Sequence, residues 1–382
     1  MVKIEDFLKN RREQGLMRNL SPLSSRKNGI ICINKKEYID FSSNDYLGLS
    51  GHPKFIESAI SAFDKYGTGS AASRLLSGDL EIHHILEEKI ANFKNKESAL
   101  IFNSGYQANV GIISSLFSKG DVIFSDRLNH ASIIDGILLS GANFFRFKHN
   151  DLNHLESILR KERGKFNNSL IITETIFSMD GDKPDLNGLI ELKEKYNSQI
   201  MVDEAHATGI YGKNGSGIVE EEDLSDKIDY IMGTFSKALG SFGAYFAASK
   251  KVTDYLINSC RSFIYSTALP PSVIACNISG IDLIKKEPFR RKNLLENVEF
   301  FRNKLEKRGF NVKGDSHIIP LIIGDNKRTM EFSKNLQEKG NWVLPIRPPT
   351  VPNGEARLRF SLTFHHDKKI LQKLIADIPD LH

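Results

Sequence analysis

The chain has 382 residues, 40% of them apolar and 26% charged, with a formal net charge of +5. Such a composition excludes a disordered polypeptide and leaves room for two domains with a large buried core. Lysine and arginine are spread along the sequence instead of clustered, and no zinc-finger spacing or basic arm occurs, which excludes a nucleic-acid binder.

The N-terminal stretch MVKIEDFLKNRREQ carries one amphipathic helix and no apolar signal core. No apolar run later in the chain is long enough to span a membrane, so a cytoplasmic protein is expected. Residues 1–44 read as an N-terminal arm. Across residues 45–270, β-type runs alternate with helical stretches, the pattern of an α/β domain with a mainly parallel sheet. The expected strands are SALIFN, DVIFSD, ANFFRF, SLIITE, QIMVDE, DYIMGT and GAYFAAS, and a helix is expected over Pro184–Tyr196. From residue 271 to 382 the pattern changes to that of a small α+β domain, with the boundary near LPPS. There Leu294, Leu295, Val298, Phe301 and Leu305 form one helical stripe, and Ile370, Leu371, Leu374 and Ile375 form another. Strands IIPLIIGD and RLRFSL lie between them, and His365 and His366 are expected to begin the last helix. Cys32, Cys260 and Cys276 form no CxxC pair and no HExxH spacing occurs, so neither a disulfide framework nor a metal site is expected.

Four stretches fall at the C-terminal ends of expected strands, where open α/β sheets carry their sites: FNSGYQAN, TETIFSMDGD, VDEAHATG and TFSKALG. Asp203 ends one strand and His206 follows three residues later. Thr234, Ser236 and Lys237 end the next. Hydroxyls beside backbone N–H groups make an anion cradle, and NSGYQ offers a second at a helix start. An acid, an anion cradle and a lysine without P-loop spacing point to pyridoxal 5′-phosphate. Its chemistry needs a lysine Schiff base, a carboxylate at the pyridinium nitrogen and a bound phosphate. Lys237 is the candidate for the imine, Asp203 for the ring nitrogen and His130 for the ring face. Each residue alone has an ordinary explanation: a strand-end cap, a satisfied core histidine, a chance Ser-x-Lys. Their ordered recurrence at successive strand ends does not. YGTGSAAS could be taken for a dinucleotide loop, but no clear strand precedes it and no well-placed acid follows about twenty residues on, so a dehydrogenase is rejected.

Beyond these sites, FSSNDYLGLS, GTGSAASRLLSG, DRLNHASIIDG, IYSTALPPS and RPPTVPNGEARLRFSLT complete a nearly end-to-end set of motifs. In them the chain resembles the α-oxoamine synthases, pyridoxal-phosphate enzymes that condense a small amino acid with an acyl thioester and release carbon dioxide. The resemblance implies fold type I of the aminotransferases: a large domain with a mainly parallel seven-stranded sheet plus a small α+β C-terminal domain. It also implies a homodimer with sites at the subunit interface, and an acyl donor on coenzyme A or a carrier protein. Lys237 would be the cofactor lysine and Asp203 the partner of the pyridine nitrogen. His206 would bond the ring hydroxyl oxygen and His130 would stack over the ring. Gly105 and Tyr106 would sit at the phosphate, with Thr234 and Ser178 also touching the cofactor. Arg359 would clamp the amino acid carboxylate, Arg18, Arg347 and Thr350 would contact substrate, and Asn44 would lie near the site. Two departures stand out: Ala71-Ala72 where many relatives have Gly-Gly, and Ala207 in AHATG where glycine is usual. A methyl there narrows the allowed backbone but removes no functional group. A non-catalytic family subunit would be expected to lose the lysine, and Lys237, Asp203, His206 and His130 are all present.

Overall fold

The computed structural model describes residues 2–380. Their contacts form two compact units. A smaller one takes the chain up to Gly48, Met179–Asp182 and everything from Lys292 onward; a larger one takes Leu49–Ser178 and Lys183–Arg291. The small unit opens with helix Val2–Glu13 and three short antiparallel strands, β1 (Ser25–Lys27), β2 (Ile30–Ile33) and β3 (Lys36–Asp40).

The large unit holds seven strands: β4 (Ser98–Phe102), β5 (Val122–Asp126), β6 (Asn143–Phe147), β7 (Ser169–Glu174), β8 (Gln199–Asp203), β9 (Tyr230–Thr234) and β10 (Ala244–Ala248). They form one sheet in the order β4-β10-β9-β8-β7-β5-β6, parallel except for β10, which runs antiparallel between β4 and β9. All seven expected strands are present. Strands β5, β7, β9 and β10 are buried along their whole length. That is why they read as continuous apolar runs and not as an alternation. Helices Gly105–Leu116 and Ala131–Ser140 close one face, where Ile112, Ile113, Ile133 and Ile137 pack with Ile123, Leu170, Met201 and Phe246.

The small unit continues with β11 (Ile318–Gly324), β12 (Asn341–Trp342), β13 (Pro345–Ile346) and β14 (Ala356–Ser361). β14 lies antiparallel between β11 and β13, while β12 adds to β3 in parallel. The chain up to Gly48 is therefore built into this unit and is not a separate arm of 44 residues. The boundary also differs from the expected position near residue 270. Helix Pro271–Lys286 packs against helices Pro53–Tyr66 and Glu81–Lys94 of the large unit, burying Ile274, Ala275, Ile281, Leu283 and Ile284. The prolines that suggest a linker are the start of that helix, where a missing N–H costs nothing. The helix expected over Pro184–Tyr196 spans Leu186–Lys195, capped by Asp185. The last helix begins at Lys368, after the two histidines, because Asp367 supplies its cap. Among the described residues, no helix is long and apolar enough to cross a membrane.

One buried ion pair pins the loop that follows β8. Lys94 donates to Glu204 at 2.8 Å, to the Thr208 hydroxyl at 3.1 Å and to the Ser216 carbonyl. The Glu204 carboxylate also accepts from the Val219 N–H at 3.0 Å. Gly217 must be glycine here: its φ is +142°, and a Cβ would lie 2.4 Å from a Glu204 oxygen. A second local constraint is Ala71, whose φ of +57° places an L-residue in left-handed backbone. The Ala71 methyl is thus carried in a strained conformation.

Lys94→Met, which leaves the Glu204 carboxylate buried without its cation, should lower unfolding free energy by about 3–5 kcal/mol, and adding Glu204→Gln should recover much of that loss in urea unfolding. Ala71→Gly should raise stability by roughly 0.5–1 kcal/mol, because relief of left-handed strain outweighs the added freedom of the unfolded chain.

Candidate active site

Parallel pairing of β7 with β8 sets Glu174 directly opposite Asp203 at the carboxyl ends of the two strands. Both are buried. One Asp203 oxygen accepts from the Ala205 N–H at 2.9 Å, and the other accepts from the Asn109 amide at 3.1 Å. Asn109 lies on helix Gly105–Leu116, one turn from its start, and its NH2 also donates to the Ser132 hydroxyl oxygen at 3.0 Å. Ser132 in turn meets Nδ1 of His130 at 2.8 Å. The His130 main-chain N–H donates to Glu174 at 2.7 Å. Asp203 and His130, predicted separately from sequence, therefore sit in one hydrogen-bonded cluster. Asn109, Ser132 and Glu174 were not singled out by sequence reasoning. Asn109 and Ser132 were legible in principle, four residues after Gly105 and two after His130; Glu174 becomes visible only through the β7–β8 register.

Glu174 holds its proton well above the usual carboxylate range, because burial and then the neighbouring Asp203 disfavour its charge. The His130 N–H and the Lys237 ammonium pull the other way, and Asp126 adds to the rise. Lys237 lies in the short loop joining β9 to β10. Gly240, with φ of +65°, turns that loop, its N–H bonding the Lys237 carbonyl at 2.8 Å. A Cβ on Gly240 would meet the Ser50 nitrogen at 2.5 Å. Such a loop presents a half-buried lysine at the carboxyl edge of the sheet.

Thr234, at the end of β9, is buried and its hydroxyl oxygen has no hydrogen-bond partner in the structure. Gly105 opens its helix beside it, so close that a Cβ would lie 2.8 Å from the Thr234 methyl. Ser104 caps that helix by accepting from the Gln107 N–H at 3.2 Å. Tyr106 follows in the first turn, half exposed, its hydroxyl donating to Asp135. His206 is buried in the loop after β8, and Ser178 is half-buried beyond β7.

The remaining candidates belong to the small unit and form two groups. On β14, Arg359 donates to the Ser361 hydroxyl at 2.6 Å, to the Asn44 side-chain oxygen at 3.3 Å and to the Tyr46 hydroxyl at 3.3 Å. Tyr46 itself donates to Asn44 at 3.0 Å. Ser361 shares a strand face with Arg359, and Tyr46 lies two residues past Asn44, so both were within reach of sequence reasoning. In the second group Arg18 donates to the Thr350 hydroxyl at 3.1 Å, and Arg347 donates to the Gly15 carbonyl. Burial, with Arg18 nearby, pulls the Arg347 guanidinium down from its ordinary value.

The model of the aminotransferase class I and II family matches residues 36–378. The chain belongs to that family. The 8-amino-7-oxononanoate synthase of Geobacter sulfurreducens is 46% identical over 372 residues, covering 97% of this chain and 95% of its own length. Among solved structures, an 8-amino-7-oxononanoate synthase from Francisella tularensis matches with a TM-score of 0.79 and 33% identity, over 89% of this chain and 96% of that one. A Sphingomonas wittichii serine palmitoyltransferase matches with a TM-score of 0.92 and 30% identity, over 99% and 96%. The chain is an α-oxoamine synthase relative with the fold type I architecture of pyridoxal-phosphate enzymes. The residues present fit that cofactor. A helix N-terminus opened by glycine and the unpartnered Thr234 hydroxyl suit a phosphate, Asp203 suits a protonated ring nitrogen, and Lys237 an aldehyde.

A carboxyl that binds its proton more tightly folded than unfolded makes the folded state lose stability as pH rises from its ordinary value of 4.5 through the raised one. In cofactor-free protein, Glu174→Gln should therefore match the parent in melting temperature at acid pH and exceed it near neutrality. Thermal scans at several pH values read the crossover.

Proposed function

We propose that this protein catalyses the decarboxylative condensation of L-alanine with a pimeloyl thioester. The products are 8-amino-7-oxononanoate, carbon dioxide and the free thiol, a step of biotin biosynthesis. The observation that carries the reading is the 46% identity, nearly end to end, with a relative of that name. The stretches GNWVLPIRPPTVPNGEARLR and HNDLNHL support it. Overall, a bond forms between the alanine α-carbon and the thioester carbonyl carbon, and the C–S bond breaks. The alanine carboxylate leaves as carbon dioxide, and the α-carbon takes back a proton.

Pyridoxal phosphate, when bound, supplies an electron sink for charge developing at the α-carbon. Lys237 holds the cofactor and then serves as the base that removes the α-proton. Asp203, with its two N–H donors, keeps a proton on the ring nitrogen. His206 bonds the ring hydroxyl oxygen, with Ser178 also in contact. Gly105, Tyr106 and Thr234 receive the phosphate. His130 packs on the ring face and donates to the thioester oxygen as charge builds there. Arg359 binds the alanine carboxylate through charge-assisted hydrogen bonds, with Asn44 beside it. Arg18, Arg347 and Thr350 contact the acyl substrate, carried on coenzyme A or an acyl carrier protein. We read the protein as a cytoplasmic homodimer; the exposed Leu76 and Tyr265 support a second copy covering them.

The high structural likeness to a serine palmitoyltransferase keeps serine with a longer acyl group as a rival, and glycine C-acetyltransferase shares the same catalytic set. Exchange of the α-proton into deuterated solvent separates them: alanine should exchange fastest, well ahead of glycine and serine. With alanine and pimeloyl-coenzyme A, mass spectrometry should find the amino ketone. Lys237→Ala should fold normally yet lose both turnover and the absorbance near about 420 nm of lysine-bound cofactor. Substantial turnover by that variant would overturn the assignment.

A further inference from the structure

His130 does more in the structure than lie near Asp203: it is the N-cap of helix Ala131–Ser140. Its ring nitrogen Nδ1 accepts the Ser132 main-chain N–H at 3.3 Å, the task usually done by a serine or aspartate oxygen. A ring nitrogen can cap a helix only while it carries no proton, since a protonated Nδ1 would face the amide hydrogen with another hydrogen. The Ser132 hydroxyl, 2.8 Å from the same nitrogen, gives a second and independent constraint.

The direction of that hydroxyl follows from its other neighbour. Asn109 places its nitrogen 3.1 Å from an Asp203 oxygen and 3.0 Å from Ser132 Oγ. A carboxylate only accepts, so the amide must turn its NH2 toward Asp203, although this leaves the Asn109 carbonyl oxygen buried without a partner. With one N–H given to Asp203, the other goes to Ser132 Oγ. The serine oxygen is thereby an acceptor toward Asn109, and its own hydrogen is free to point at His130. Asn109 is thus the common donor, giving one N–H to Asp203 and the other to Ser132, whose hydroxyl passes on to His130. Glu174 holds the other end of the same residue, accepting from the His130 main-chain N–H at 2.7 Å.

We propose that Ser132 and Asn109 are positioning residues that fix His130 as the neutral tautomer with its proton on Nε2 and tie that choice to the Asp203 carboxylate. This deepens the reading of the site as a pyridoxal-phosphate centre and rests on it for its purpose. A ring locked with Nε2–H outward is a donor ready for the oxygen that gains charge when the acyl substrate is attacked. The free tautomer equilibrium would leave part of the population with an acceptor there instead. The assignment of the tautomer itself depends only on the chain's own groups.

The test uses the full-length protein labelled with ring-15N histidine, with and without added pyridoxal phosphate. His130 is identified by its loss in His130→Asn, and two-bond 1H–15N correlations report which nitrogen holds the proton. Near neutral pH the parent should show only the Nε2–H form. Ser132→Ala keeps the main-chain N–H but loses the hydroxyl, so it should gain a detectable minor Nδ1–H population, and Ser132→Thr should restore the single form. In turnover, Ser132→Ala should lower kcat about tenfold with KM for alanine within about twofold, and Ser132→Thr should recover most of it. A parent ring protonated on Nδ1, or on both nitrogens, overturns the proposal. So does a Ser132→Ala protein that folds by circular dichroism and keeps one tautomer. A protein with the expected tautomer pattern that binds no pyridoxal phosphate would instead sink the functional reading and leave the tautomer assignment standing.

Discussion

Two carboxyl groups on neighbouring parallel strands, Glu174 and Asp203, set the terms for the large unit's site. Residues paired in this register sit about 5 Å apart across the sheet. Two neighbouring negative charges held out of water repel each other, and burial adds to the cost of ionising both. One proton or one cation must intervene. Burial and the neighbouring Asp203 push the Glu174 carboxyl well above its ordinary value, while Asp203 accepts from two N–H donors.

The parts around this edge follow from keeping it fixed. Asp203 is followed at once by Glu204, whose side chain points to the other task of anchoring the next loop on Lys94. The pair is wholly buried, so breaking either half leaves a bare charge, and the loop that bears His206 has no cheap alternative path. Backbone turns shape the loop that carries Lys237: Phe235 and Ser241 close it on itself, and Gly240 allows the approach to Ser50.

How much of this was readable beforehand depended on whether the information is local. The seven strands were, because buried parallel strands are unbroken apolar runs, and the chemistry-bearing stretches were found because they end those runs. Lys237 and Asp203 were picked out as candidates on that basis. Glu174 could not, since its importance comes from facing Asp203 across a register that no single segment encodes. Asn109 and Ser132 look like ordinary helix residues until the helices Gly105–Leu116 and Ala131–Ser140 are packed together. The unit boundary was misjudged for a related reason: Pro270 and Pro271 break local patterns in a linker and in a helix start alike, and only the partners of Ile274 and Ile281 tell the two apart. Ala71 shows the opposite case. Its departure from glycine was visible at once, but whether the backbone there is left-handed was not.

The division between the two units also bears on what can vary within such a family. Candidate groups for the reaction itself stand at strand ends of the large unit, where each side chain is fixed by register and by neighbours that are themselves buried. Arg18, Arg347 and Thr350 belong to the small unit and are held by a few bonds there: Arg18 to the Thr350 hydroxyl at 3.1 Å, and Arg347 to the Met330 sulfur at 2.9 Å and the Gly15 carbonyl. Changing a residue of the first kind disturbs a network, since Asn109 cannot be altered without disturbing both Asp203 and Ser132. Changing one of the second kind alters a local contact and little else.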